Sequence, residues 1–184
     1  KFVILPEGIE EIGISAFSGL ELLTSIELPN TLEKVGDRCF QGCSSLSISS
    51  FPDSLTTFGV SSFDGCSSIE GDIEIPANVK ALPPLCFDKT MIRNITFLST
   101  DSFEIGVSSI YTQKGKESTL GTITFNSVNI TLRYGAFTSD KLYSIVYPGT
   151  MSDWETKVIK DEMWNLRLSD KCYVHCTDGD IKIE

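Results

Sequence analysis

The sequence predicts an α/β solenoid, a stack of similar turns that each contribute one short strand to a parallel sheet. The sequence pattern of residues 24–46 is repeated on both sides of that segment, so that Pro6, Pro29 and Pro52 recur at a step of 23 residues. Self-similarity at a period of this size is typical of solenoids. Apolar residues alternate before each of these prolines, which indicates strands. The pattern changes after residue 150, which predicts a different closing segment.

The strands are predicted from apolar residues one and three positions before the proline or its equivalent. Alternation with period two is typical of a strand with one buried face. Because each strand is followed by a return path and then by the same strand, neighbouring strands must run parallel. The seven inward-facing pairs are Val3 and Leu5, Ile26 and Leu28, Ser49 and Phe51, Ile73 and Ile75, Ile95 and Phe97, Ile123 and Phe125, and Ile145 and Tyr147.

The return path supplies the opposite wall of the same core. Apolar residues lie three and six positions after the proline, and a glycine often follows at the next corner, as at Gly13, Gly36 and Gly59. A short segment such as SAFSGL (15–20) comes next, and we expect it to be a helical turn or a short helix that carries a repeated aromatic inward. The apolar residues of this wall are Ile9, Ile12, Leu32, Val35, Leu55, Phe58, Val79 and Leu82.

The later turns are less regular, and the chain is expected to divide at residue 150. The fifth repeat, about 93–120, has a step of 28 residues from Ile95 to Ile123, and its segment 113–118 is predicted to be a polar surface loop. Residues 1–150 therefore form the repeat array and 151–184 a C-terminal cap. In the cap, Ser152 and Glu155 have capping-box spacing before a helix, and two strands are expected around the turn at 177–180.

The six cysteines are expected to be free thiols, and the four that occupy repeat slots are expected to be buried. Cys43 and Cys66 occupy one repeat slot, whereas Cys39 and Cys86 occupy the slot before the repeated aromatic. Cysteines stacked in register point the same way, which is poor geometry for a disulfide. A small buried thiol behaves as a small hydrophobe.

The charge excludes several classes of partner. The net charge of −10 argues against nucleic acid and against an anionic membrane surface. No apolar run approaches the roughly 20 residues that a spanning helix needs, so we expect no membrane insertion of this segment. We also expect a monomer. Because the chain opens in the middle of a repeat, it is expected to be a piece of something longer.

The search for chemistry predicts no enzyme, no metal and no cofactor. The chain has one histidine and lacks the common hydrolase and nucleotide-binding motifs. Cys172, His175 and Cys176 suggest a metal site, but strand alternation would put the histidine on the opposite face from both cysteines. Asp178 and Asp180 are better explained by a turn than by calcium, because the rest of a ligand loop is missing.

The repeats resemble a known family. The pattern L-x-x-I-x-L-P-x-x-L-x-x-I/V-G-x-x-x-F-x-G-C is similar to the BspA-type leucine-rich repeat of bacterial cell-surface proteins, and Y-P-G-T-x-x-x-W with HCTDGDI resembles the tail that closes such arrays. The resemblance implies a right-handed, horseshoe-like leucine-rich-repeat solenoid, displayed on the cell surface or secreted. It also implies adhesion to host matrix proteins or to other cells. The fifth repeat departs from the pattern.

A candidate binding surface follows from the strands. Residues two and four positions before the proline slot face away from the core, so that stacked strands present one continuous concave panel, the usual binding face of a solenoid. We expect a protein or glycan of a host or neighbouring cell to bind it. Alternatives are a merely solvated sheet face, an architectural spacer that displays another domain, and an enzyme. The panel residues are Glu27, Ser50, Asp72, Glu74, Asn94, Thr96, Thr122 and Thr124, with Ser25 and Ile48 in the same slots.

Overall fold

The structure, a computed structural model, describes residues 1–111, 119–165, 168 and 171–183. The predicted loop at 113–118 lies outside the described residues. Within them the chain forms a solenoid built almost entirely of short strands, with one helix, α1 (Met151–Lys157). The strands are β1 (Phe2–Ile4), β2 (Glu11–Ile12), β3 (Ser25–Glu27), β4 (Lys34–Val35), β5 (Thr57–Phe58), β6 (Glu70–Ile75), β7 (Ala81–Leu82), β8 (Met91–Phe97), β9 (Phe103–Ile105), β10 (Ile110–Tyr111), β11 (Thr122–Phe125), β12 (Ile130–Leu132), β13 (Phe137–Thr138), β14 (Ser144–Val146), β15 (Ile159–Lys160), β16 (Tyr173–Cys176) and β17 (Gly179–Lys182).

The predicted strands form a row of strands, parallel except for the last strand of the chain, which we call the strand row. It consists of β1 paired with β3, and of a six-stranded sheet in the order β17-β16-β14-β11-β8-β6. Like residues lie over like residues: Val3 pairs with Ile26, and Ile73, Ile95, Ile123 and Ile145 follow one another in register. The 28-residue step of the fifth repeat leaves this register intact, because Ile123 still pairs with Ile95. The predicted parallel-sheet solenoid is therefore confirmed.

One predicted strand is missing. The third turn touches the strand row only through a bridge between Ser25 and Ser47, one residue out of register. Ile48, predicted to face outward, is buried with only 6% of its surface exposed, whereas Ser49, predicted to face inward, is exposed. Burying the isoleucine stabilises the core and burying the serine hydroxyl would cost free energy. Because the buried residues Ile48 and Phe51 are three apart, a strand with period two cannot hold both, and the row is interrupted.

A second row of strands runs along the return path, as the apolar spacing predicts. Its parallel sheets are β2-β4-β5 and β15-β12-β9-β7. The predicted residues of this wall are buried, except Ile9, which is half-buried beside the uncovered first turn. The core therefore lies between the strand row and the return-path row, with one layer of side chains from each turn.

The segments expected to be helical turns are instead pairs of tight turns. Ser15, Arg38, Ser61 and Leu85 have positive φ angles of 53–58°, which end any helical run there. Each segment bonds to the next turn along the stack; for example, Arg38, Phe40 and Gly42 donate their N–H groups to carbonyls at residues 60, 62 and 64, over 2.8 Å each. This third wall is thus a ladder between turns.

The repeated phenylalanines form one column beneath this wall. Phe17, Phe40, Phe63 and Phe87 stack with ring centroids 5.2–5.3 Å apart and interplanar angles of 4–14°. Phe51 and Phe58 meet Phe63 edge-on at 5.6 and 5.9 Å. Offset-stacked and edge-on contacts are the favourable geometries for aromatic rings. The column is continuous across the third turn, where the strand row is interrupted.

The glycines at the corner allow successive backbones to touch. A Cβ atom on Gly36 would lie 2.7 Å from the carbonyl carbon of Gly13, and one on Gly59 would lie 2.3 Å from the amide nitrogen of Asp37. A Cβ atom on Gly13 would meet nothing within 4 Å. The corner therefore requires glycine only where a preceding turn lies against it.

The tail motif Y-P-G-T-x-x-x-W closes the last turn. Tyr147 packs edge-on against Trp154 at 5.3 Å, and its hydroxyl donates to the carbonyl of Val128 over 2.7 Å. A Cβ atom on Gly149 would lie 2.6 Å from the Tyr147 ring, so only glycine fits. Thr150 and Asp153 form the capping box of α1; the expected pair, Ser152 and Glu155, is wrong by two residues. The helix ends at Lys157, before Met163 and Trp164.

The expected hairpin consists of β16 and β17, and it also adds strands to the strand row. β16 pairs in parallel with β14, so that Val174 lies over Ile145 and extends the column of buried residues by one position. β17 then pairs antiparallel to β16 along its outer edge. The division of the chain at residue 150 remains a prediction.

Candidate binding face

The outer face of the strand row carries the predicted panel residues, and it falls into two parts. In the sheet part, Asp72, Asn94 and Thr122 lie side by side, and so do Glu74, Thr96 and Thr124. The remaining predicted residues, Glu27 and Ser50, lie beyond the interruption at the third turn. The panel is therefore not continuous, because Ile48 rather than Ser49 enters the core.

The sheet part is an ordered polar surface. Asp72 and Glu74 are exposed, whereas the asparagine and threonines beside them are half-buried by their neighbours. Asn94 Nδ2 donates to Asp72 Oδ1 over 2.7 Å, which holds this carboxylate in place. The face thus presents acceptors at the β6 edge and mixed hydroxyl and amide groups further along.

Sequence reasoning missed the extension of this face by the hairpin. β16 places Tyr173 beside Ser144 and His175 beside Val146, so both rows of the face reach the end of the array. His175 Nδ1 lies 2.9 Å from Asp180 Oδ1 on β17. The available signal in the sequence was the alternation of apolar residues around Val174. Cys172 and Val174 are both buried, as alternate residues of the earlier strands are.

The second part of the face is a groove beside the interruption, which we call the third-turn groove. It has a volume of about 630 Å³ and lies between residues 25–28 on one side and 47–53 on the other. This volume is within the range of about 300–1,000 Å³ that is typical of ligand sites. Glu27 and Ser50 are the predicted residues that line it, together with Glu7, Asn30 and Asp53.

The candidate metal-ligating residues are engaged within the protein. Cys172 is buried in the core, and the Asp178 carboxylate accepts the N–H of Met151 at the start of α1 over 2.7 Å. Among the described residues, no group of three or more His, Cys, Asp or Glu side chains is placed to hold a metal ion.

One buried carboxylate lies on the third wall, away from the binding face. Burial raises the pKa of Asp88, whose Oδ2 lies 2.8 Å from the Lys89 ammonium. The same ammonium lies 2.7 Å from Asp64 Oδ1. Lys89 therefore pairs with two carboxylates at once, as in a structural ion cluster.

The four thiols in repeat slots lie in the core, as predicted, and so does Cys172, whereas Cys176 is half-exposed. All six are free, and Cys43 and Cys66 donate to the carbonyls of Phe17 and Phe40 over 3.0 Å. Burial raises the pKa of Cys39 and Cys86 to about 12. The buried thiols therefore pack as small hydrophobic groups. They are poor nucleophiles, because the thiolate is the reactive form and a raised pKa keeps the thiol protonated.

We predict that iodoacetamide at pH 8 modifies one cysteine of the folded protein faster than the other five, although burial and nearby carboxylates raise its pKa as well. Cys176 is the one half-exposed thiol of the six, so its alkylation should be at least about tenfold faster than that of the five buried thiols. Mass spectrometry before and after unfolding in urea measures the rates. Cys176→Ser should remove the fast reaction, and equally fast labelling of Cys43 or Cys66 would contradict the buried arrangement.

The family model for the BspA type leucine rich repeat region matches residues 1–114 with 6 copies. The chain belongs to the BspA-type leucine-rich repeat family. The match covers more than half of the chain. This BspA-type protein therefore carries a leucine-rich repeat module. No helix within the described residues is long and apolar enough to cross a bilayer.

Two solved structures are similar to this BspA-type protein. A leucine-rich repeat protein from Bacteroides ovatus is 18% identical with a TM-score of 0.31, and the match covers 95% of this chain and 70% of that chain. A leucine rich cell surface protein from Faecalibacterium prausnitzii is 15% identical with a TM-score of 0.41, covering 96% of this chain and 69% of that chain. No curated protein sequence matches this chain.

Proposed function

We propose that this protein is a non-catalytic interaction module on the bacterial cell surface or in the secreted fraction. It binds a protein or glycan partner through the outer face of its strand row. Membership in the BspA-type family supports the surface role. The observation that carries the proposal is the register of the sheet part, because polar side chains stacked over successive strands form one ordered surface.

The chemistry of this surface supports recognition rather than catalysis. Asp72 and Glu74 are exposed acceptors, and Thr96 and Thr124 are hydroxyl groups that can donate or accept. A flat row of such groups complements basic side chains of a protein or the hydroxyl groups of a glycan. Because the side chains are seated on strands, little conformational entropy is lost on binding.

Binding to arrays of extracellular matrix proteins and glycans tests the proposal. For any partner found, Asp72→Asn with Glu74→Gln should weaken binding at least about tenfold, since both charged acceptors of the sheet part are lost. The matched control is Glu11→Gln with Glu33→Gln, which removes the same charge from the exposed return path and should change affinity less than about twofold. Equal effects of the two variants, or no partner on either array, would contradict the proposal.

A further inference from the structure

The third-turn groove has an unfinished backbone edge. Between the first and second turns, the N–H of Leu5 donates to the carbonyl of Glu27 over 3.2 Å. The equivalent bond between the second and third turns would join the N–H of Leu28 to the carbonyl of Ser50, and these described residues do not form it. The carbonyl of Ile26 likewise receives no N–H from the third turn.

The cause of this open edge is the register slip of the third turn. After the bridge at Ser47, the chain departs from the strand row. Ile48 and Phe51 both enter the core, and the two serines between them do not. The exposed residues Ser49 and Ser50 therefore lie across the groove from β3 instead of being hydrogen-bonded to it. The groove is thus a strand position that this chain leaves partly empty.

The two open backbone groups fit one extended ligand. In a parallel ladder, a single residue of the added strand donates its N–H to one carbonyl and accepts the N–H two residues further on. The Ile26 carbonyl and the Leu28 N–H have this spacing. Addition of a peptide strand to an exposed sheet edge is an established way in which proteins recognise extended segments.

The charge of the groove indicates the side chains of that ligand. Glu7, Glu27 and Asp53 line it, and no lysine or arginine does. The Glu7 carboxylate is held in position, since its Oε1 accepts the backbone N–H of Asn30 over 3.2 Å. Three carboxylates beside a polar edge favour Lys or Arg side chains of a bound segment.

We propose that the third-turn groove binds an extended, basic peptide segment of a protein partner, which adds to the open edge of β3. This inference rests on the proposed function and names the class of partner for one part of the face. The segment contributes backbone bonds to Ile26 and Leu28, while its basic side chains pair with Glu27 and Asp53.

A labelled peptide tests the groove directly. The probe is an end-blocked hexapeptide of alternating lysine and valine, with fluorescence anisotropy as the readout. Glu27→Gln with Asp53→Asn should weaken its binding at least about tenfold, whereas Glu11→Gln with Glu33→Gln should change it less than about twofold. Methylation of the peptide's backbone nitrogens keeps its charge and removes its N–H donors, and it should also cost about tenfold.

A repair variant tests the role of the slipped register. Ile48→Ser with Ser49→Ile restores the inward alternation that the other turns have, so the third strand should form and close the groove. Peptide binding should then fall at least about tenfold in a folded protein. If this variant does not fold, the paired charge variants and the methylated peptide decide the question.

Several outcomes would overturn the inference. Equal weakening by the two charge variants would mean general attraction to an acidic protein, and full binding of the methylated peptide would exclude strand addition. Binding of a neutral chitin hexasaccharide in place of the peptide, lost on Glu27→Gln, would assign the groove to glycans. The proposed function is judged separately, because its test uses Asp72 and Glu74 in the sheet part, outside the groove.

Discussion

Replacing Phe63 with alanine should lower the free energy of unfolding by about 4 kcal/mol, measured by urea denaturation. Phe63 is fully buried and stacks between Phe40 and Phe87 at 5.2 and 5.3 Å, with two further rings edge-on against it. Removal of the ring leaves a cavity that these neighbours cannot fill, since each is held by its own turn.

The same slot in the first turn provides the control for Phe63→Ala. Phe17 is half-buried and stacks on one neighbour only, Phe40, at 5.3 Å. Phe17→Ala should therefore cost less than half as much, about 1–2 kcal/mol. Equal losses for the two variants would mean that the column is not the continuous stack described above.

Replacing Gly59 with alanine should lower the free energy of unfolding by about 3 kcal/mol. The added methyl group would lie 2.3 Å from the amide nitrogen of Asp37 and 2.4 Å from the carbonyl carbon of Gly36. Both contacts are with backbone, so no side chain can move aside, and two turns must separate at this corner.

Gly13→Ala is the matched control, because Gly13 occupies the same repeat slot and its added methyl group would meet nothing within 4 Å. Its free energy of unfolding should stay within about 1 kcal/mol of the parent protein, with a small gain expected from the lower entropy of the unfolded chain. A loss of about 3 kcal/mol at Gly13 would show that backbone conformation, rather than contact between turns, decides the glycine at this corner.

The columns of stacked side chains could be predicted, because each turn places the same type of residue at the same position of the repeat. Phe17, Phe40 and Phe63 recur at 23 residues, and rings at one slot of stacked turns must meet. The longer step of the fifth repeat does not disturb the stack, since Ile95 and Ile123 still pair.

The register of the third turn could not be predicted from the slot alone. The repeat pattern placed Ser49 inward, but burial of the neighbouring isoleucine is favourable, whereas burial of the serine hydroxyl would cost free energy. Only a comparison of Ile48 with Ser49 at that site shows the slip. The candidate face depends on this register slip, because the slip divides the predicted panel. It also creates the third-turn groove, which Glu27 and Ser50 both line.

The capping box and the turns were missed for different reasons. Thr150 with Asp153 and Ser152 with Glu155 have the same spacing, and burial of Trp154 sets the phase of the short helix. The tight turns depend on positive φ angles at residues such as Arg38 and Leu85, which are not the glycines that usually indicate that conformation.

The interruptions of the two sheet rows fall at neighbouring turns. The strand row breaks around the third turn, and the return-path row breaks between β5 and β7. Among the described residues, no strand pairing therefore joins the third and fourth turns, which are held together by the third wall, by the packing of Phe87 against three rings of the third turn, and by the bond from Asn78 Nδ2 to the carbonyl of Asp53. A stack of turns opens first at its weakest junction. The first three turns are therefore the part of the stack that we expect to separate first, and they would carry the third-turn groove with them intact, because both of its walls belong to the second and third turns.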